Sequence, residues 1–309
     1  MKKRVYPVRK PYKSGYLPVS DNHQLYYALY GNPEGKPLFW VHGGPGAGSG
    51  NKHLWFDPKK FNVLTLDQRG SGKSKPFAST KNNTTRKLVE DMKLFLDFLK
   101  LKKVFLWGHS WGACLSLCFA IKHQEYVKGM LLSGVFLGTK EENDYFMKGG
   151  TAQFFPEVWN NLLKLVPKRK QNHPVKYYQK MMHSKSEKIA KKYCKEFGTY
   201  ERKIMCLVAN PNVKGSASKQ TRAIAKLEAH YLLNDCFLPK NYIVKNINKI
   251  KHIPARIVHG RFDMVCPPIY AYELHKVLPK SKLLFTLANH SSSEYQAEII
   301  QEIKKLVNL

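Results

Sequence analysis

Apolar positions come in short bursts over the first 135 residues. Residues 16–19 and 24–30 alternate apolar and polar, the period of an antiparallel hairpin with one covered face. Residues 38–41 and 61–66 read as two further strands, each followed by a glycine-containing loop. Across residues 84–101 the period lengthens to that of a helix, with Leu88, Met92, Phe95 and Leu99 on one face. A strand at 104–107, a helix at 113–121 and a strand at 130–133 continue the rhythm. Alternating units of this kind predict a parallel sheet covered by helices.

The rhythm breaks after Phe136. Residues from about 139 to 235 carry no strand pattern and read as several helices rich in Lys, Tyr and Phe. A strand at 255–259, a helix at 268–277, a strand at 282–287 and a final helix then restore the first pattern. The chain thus divides into a catalytic core of residues 1–138 and 236–309 and an inserted all-helical cap of residues 139–235.

Between the strand at 104–107 and the helix at 113–121 stands Gly108-His109-Ser110-Trp111-Gly112. A Gly-x-Ser-x-Gly between strand and helix is the nucleophile elbow of the α/β-hydrolase fold. The fold class expected is therefore α/β, an α/β-hydrolase fold with a mostly parallel sheet flanked by helices and an inserted helical cap. A serine hydroxyl needs a general base, and the base needs an orienting carboxylate. In this fold they follow in the order Ser, Asp or Glu, His. After Ser110 the aspartates are Asp144, Asp235 and Asp263. The first two fall in or beside the helical block, and Asp263 follows a strand by a short turn, so Asp263 is the expected orienter. His275 lies inside a helix pattern, which leaves His290 as the base. His109 and His259 read as packing residues. The oxyanion needs backbone donors. The N–H of Trp111 is one, and Gly43 or Gly44 of His42-Gly43-Gly44-Pro45-Gly46 is the other, with Pro45 setting the loop's shape through a cis bond.

Composition narrows the class further. With 309 residues and 43% hydrophobic content the chain can bury a large core. No apolar run approaches the roughly 18 residues of a membrane span. Met1-Lys2-Lys3-Arg4 is basic, but no apolar segment adjoins it, because Arg9, Lys10 and Lys13 break up the neighbouring residues. No export signal is read, and the expected location is the cytoplasm. Cys114 and Cys118 stand one helical turn apart without zinc-ligand partners, and read as core. No metal or cofactor is expected. The net charge is +30, from 52 basic and 22 acidic residues, densest across residues 164–195. Scattered lysines read as a solvated surface with salt-sensitive polyanion binding, not a specific nucleic-acid site. The stretch Gly70-Ser71-Gly72-Lys73-Ser74 resembles the end of a phosphate loop, but Asp67 stands where that motif needs glycine. The sequons in Asn82-Asn83-Thr84-Thr85 carry no meaning without secretion.

With elbow, triad order and HGGPG loop together, the chain resembles the prolyl aminopeptidases (proline iminopeptidases). The likeness spans HGGPG at 42–46, DQRGSGKS at 67–74, NTT and LVEDM within 83–92, GHSWG at 108–112, FFPEVW at 154–159 and GRFDMVCP at 260–267. It implies release of N-terminal proline from peptides with a free amine, through an acyl-enzyme and without a cofactor. It also implies that two cap glutamates, Glu201 and Glu228, seat the substrate's ammonium, and that Phe136, Phe146, Leu232 and Cys266 wall the proline pocket. Two carboxylates suit a group that is mostly cationic at pH 7. Leu232 replaces an aromatic of the family pattern, so a looser pocket is expected. Ala288-Asn289-His290 replaces the usual Ala-Gly-His, and His109 a common Gly. The alternative with the same machinery is a hydrolase of amino-acid amides or small esters; a rival of another class is a non-catalytic polyanion-binding protein on this scaffold.

Overall fold

The computed structural model describes residues 5–208, 216 and 218–309. The basic tetrapeptide Met1-Lys2-Lys3-Arg4 lies outside the described residues. The described strands are β1 (Lys13–Val19), β2 (His23–Gly31), β3 (Lys36–Val41), β4 (Phe61–Leu66), β5 (Val104–His109), β6 (Val127–Ser133), β7 (Ala255–Gly260) and β8 (Ser281–Thr286). They form one sheet in the order β1-β2-β4-β3-β5-β6-β7-β8. The β1–β2 and β2–β4 pairs are antiparallel, and every later pair is parallel. Every residue of β4, β5 and β7 is buried. Strands covered on both faces show no alternation, which is why their sequences read as plain apolar runs.

The helices of the sheet domain are α1 (Thr85–Phe98), α2 (Trp111–Lys122), α9 (Pro268–Val277) and α10 (Gln296–Leu306). Successive side chains of β5 serve opposite faces. Val104 and Leu106 pack with α1 and α2, whereas Phe105 and Trp107 pack with α10 and the indoles of Trp40 and Trp55. Cys114 and Cys118 lie buried on α2 as core residues.

Helix α1 stops three residues short of the expected 101. Lys100 takes φ 56°, Leu101 N–H donates to Leu96 O, and Lys100 N–H donates to Asp97 O. This is a Schellman ending built on lysine where glycine is the usual signal. The expected strand at 282–287 likewise runs one residue earlier, as β8, and Leu287 is exposed.

Between β6 and β7 the described residues form helices and turns with no strand. They include α3 (Lys140–Met147), α4 (Pro156–Leu163), α5 (Pro174–Met182), α6 (Glu187–Ile204), α7 (Lys219–Leu232) and the short α8 (Tyr242–Asn246). A capping box at Thr139 and Glu142 starts α3. Polar fasteners hold this insertion on the sheet. Tyr231 OH of α7 donates to Asn83 Oδ1 at 2.7 Å, and Tyr145 OH of α3 donates to Met264 O at 2.9 Å. Asn83, a sequon residue by sequence, is buried and also donates to Arg69 O and Ser79 O.

Candidate active site

Ser110 links β5 to α2 at φ 57°, ψ −127°. Positive φ is costly for a residue with a Cβ, and the packing around it imposes the turn. A Cβ on Gly108 would strike the Gly112 carbonyl, and one on Gly112 would strike the Val41 carbonyl of β3. Strand and helix therefore approach as only glycine permits.

The turn brings Ser110 Oγ within 2.9 Å of His290 Nε2, and His290 Nδ1 lies 2.8 Å from Asp263 Oδ2. A carboxylate only accepts, so Nδ1 carries the proton and Nε2 accepts from the serine hydroxyl. Asp263 is buried, and its Oδ1 accepts from Val265 N–H and Cys266 N–H at 3.0 and 2.7 Å. Burial works against its charge, but His290, His259 and the Cys266 N–H outweigh it and hold the pKa below the ordinary carboxylate value.

The residues read as packing have defined places. His259 accepts from Val135 N–H at Nδ1, so its Nε2–H donates to Cys266 O at 2.9 Å. The same nitrogen lies 3.4 Å from Asp263 Oδ2. His259 is core, as its sequence setting implies, and it also flanks the carboxylate, which no local pattern signals. His109 contacts Ser133 Oγ through Nδ1 at 3.1 Å, and its ring lies 5.0 Å from that of His290. Burial first, then the neighbouring His290, pushes its pKa well down, so it stays neutral beside the candidate base.

The N–H groups of Gly43, Gly44 and Trp111 border the serine and have no hydrogen-bond partner among the described residues. Gly43 packs on Ser110, and Gly44 has φ 106° before a cis bond to Pro45. Sequence reading missed Gln68. Its Nε2 donates to His42 O at 2.8 Å, its Oε1 accepts from Trp111 Nε1–H at 3.0 Å, and its backbone N–H donates to His42 Nε2 at 3.0 Å. The available signal was its place in DQRG, beside Asp67. Asp67 itself folds the phosphate-loop lookalike around its carboxylate, accepting from Ser49 N–H and Lys73 N–H.

A cleft of about 290 Å³ opens over Ser110 and is lined by Gly43, Gly44, His290, Glu201 and Glu228. Glu201 projects from α6 and Glu228 from α7. Burial raises the pKa of Glu201, while burial and the facing Glu201 carboxyl push that of Glu228 well up. Glu228 Oε2 is buried without a hydrogen-bond partner. Two carboxyls pressed together and short of donors form a ready seat for a cation. A side pocket beside Ser110 is lined by Phe136, Phe146, Leu232 and Cys266, all four of the expected walls, together with Trp111 and Tyr231. Burial and Asp263 hold the Cys266 thiol protonated.

A family model described as alpha/beta hydrolase fold matches residues 36–296. Among solved structures the chain is similar to a proline iminopeptidase of Mycobacterium smegmatis, with TM-score 0.63 and 16% identity over 96% of this chain and 99% of that one. It is equally similar to a thermophilic esterase of Thermogutta terrifontis, with TM-score 0.62 and 18% identity over 96% and 98%. At such identities the likeness is one of fold, and with the family model it makes the chain an α/β-hydrolase. Sequence relatives are more specific. The chain is 36% identical to a probable proline iminopeptidase of Leptolyngbya boryana, over 94% of this chain and 92% of the relative. It is 35% identical to the proline iminopeptidase of Arabidopsis thaliana, over 99% and 82%. Within the α/β-hydrolases, the chain belongs to the proline iminopeptidase family.

Proposed function

We propose that this protein is a serine aminopeptidase that releases N-terminal proline from peptides. The observation that carries the reading is the position of Glu201 and Glu228: two facing carboxyls in the same cleft as Ser110. They would hold the substrate's ammonium at a fixed distance from the nucleophile and reject N-blocked peptides. The proline ring would enter the side pocket walled by Phe136, Phe146, Leu232 and Cys266. Leu232, in place of the family's aromatic, favours some activity on other small residues. We take residues 139–235 as a cap domain and residues 1–138 and 236–309 as the catalytic core, because the cap helices supply the amine seat and the core the nucleophile.

Ser110 Oγ attacks the prolyl carbonyl while His290 Nε2 takes the hydroxyl proton. Asp263 holds the imidazole tautomer and balances the imidazolium. The oxyanion is bound by the N–H of Trp111, at the start of α2, and by that of Gly43 or Gly44. His290 returns its proton to the leaving amine as the C–N bond breaks. Water, deprotonated by His290, then releases proline and regenerates Ser110. A cytoplasmic setting fits five buried cysteines, Cys114, Cys118, Cys194, Cys236 and Cys266, none of them in a disulfide, and described helices too short or polar to cross a membrane.

The test compares proline arylamide, alanine arylamide, N-acetyl-proline arylamide and a nitrophenyl ester. Proline arylamide should be the best substrate and its acetylated form inert, and Ser110→Ala should abolish turnover. Glu201→Gln with Glu228→Gln should lose arylamide activity and keep ester activity. Equal loss of both, or substantial activity in Ser110→Ala, would overturn the reading.

A further inference from the structure

Asn289 directly precedes His290 in the chain, and it is fully buried. Its side-chain oxygen accepts from Met264 N–H at 3.0 Å and from His290 N–H at 2.8 Å. Its Nδ2 donates to Ile204 O at 2.8 Å. Two donors on one side and a carbonyl on the other fix the amide's orientation. One side chain thus joins three segments: the loop after Asp263, the backbone of His290, and the last residue of α6. Glu201 stands one turn before that residue, on the same helix.

The last carbonyls of a helix have no partner within it. Here the core supplies partners at the end of α6 and just past it. Ile204 O is bound by Asn289, and Met205 O accepts from Ser291 N–H at 2.9 Å. Leu207 N–H donates to Glu294 Oε1, whose second oxygen accepts from Asn289 N–H. The end of α6 is therefore stitched to the loop that carries His290. Of these links, the Asn289 side chain is the one that also reaches the Asp263 loop.

We propose that Asn289 is a positioning residue that couples the amine seat to the acyl-transfer machinery. By fixing the last turn of α6 against the Asp263 and His290 loops, it sets how far Glu201 lies from Ser110. That distance decides whether the carbonyl of an amine-anchored substrate sits where the serine attacks, and small errors in such geometry are costly. The inference rests on the amine seat proposed above. It predicts that this chain's dependence on a free amine runs through a side chain that a glycine at this position cannot supply.

Asn289→Asp is the discriminating variant. Its carboxylate still accepts from Met264 and His290 N–H, but it has no donor for Ile204 O. We expect kcat/KM for proline arylamide to fall at least ~10-fold more than that for nitrophenyl butyrate, and the extra loss to lie mostly in kcat, because the amine is still seated while the carbonyl is misplaced. Amide hydrogen exchange over residues 200–205 should quicken, and the loop at 289–294 should stay protected. Asn289→Ala and Asn289→Gly, which also lose the two acceptor bonds, should lower both activities. The proposal is overturned if arylamide and ester fall by one common factor in Asn289→Asp, or if exchange at the end of α6 is unchanged. Wild-type protein inactive on proline arylamide would instead overturn the proposed function, and the exchange measurement would still read the tie.

Discussion

Gln68 is the residue through which both sides of the proposed oxyanion site meet. His42 C=O and Gly43 N–H belong to one planar peptide and point in opposite directions. By donating to that carbonyl, Gln68 fixes where the Gly43 N–H points, and by accepting from the Trp111 indole it anchors the residue that offers the other donor. Gln68→Leu removes both bonds at similar volume. We expect kcat to fall roughly 10- to 100-fold with little change in KM, on arylamide and ester alike. Affinity for a prolyl aldehyde should drop in parallel while affinity for proline does not. Gln68→Glu keeps the acceptor for Trp111 but sets oxygen against the His42 carbonyl, so it should not rescue. Unchanged kcat in Gln68→Leu would remove this role. That Ser110, Asp263 and His290 come together was legible because chain order and strand ends restrict each choice to a few residues. Gln68 and Asn289 were not, because the long-range contacts argued to give them their roles reach 25 to 85 positions along the chain.

At the scale of elements, family motifs that look functional turn out to fasten one element to another. Arg69 of DQRG is buried, with Nε and Nη2 donating to the two oxygens of Asp91 on α1 at 2.7 and 2.9 Å. Its Nη1 also donates to Asp21 in the β1–β2 turn and to Asn82 O. One guanidinium thus joins the hairpin, the loop after β4 and α1. Removing it leaves a buried carboxylate without its counter-charge. Arg69→Met should cost about 3–5 kcal/mol in urea unfolding. A change below about 1 kcal/mol, the range of exposed pairs, would refute the assignment. Element identity was legible from period, since the strands, α1 and α9 fall close to where the pattern puts them. The end of α1 was not, because a lysine takes the left-handed position and only the returning backbone bonds disclose it.

Over the whole molecule, charge and enclosure act against each other. The surface carries most of a +30 charge, yet the cleft holds two acids whose pKa values are raised by burial and, at Glu228, also by its partner. Raised values mean the pair retains a proton on the acid side and gains its full negative charge only as pH climbs through that range. In the free enzyme, kcat/KM for proline arylamide should therefore fall as pH drops through the pair's apparent pKa. Nitrophenyl ester turnover should lack that limb; identical acid limbs for both substrates would count against the seat. Binding to a polyanion resin should be weak and collapse between about 50 and 200 mM salt. By itself the sequence determined the order of strands and helices, the elbow, the triad order and the helical insertion. Each is set by local period, turn chemistry or position along the chain. That Glu201 and Glu228 meet was implied by family resemblance and not by any local pattern; tertiary structure decided that their pKa values rise and that Gln68, His259 and Asn289 pack around Ser110, Asp263 and His290. Those facts depend on burial and on contacts between distant segments, and neither is written in the spacing of any one stretch.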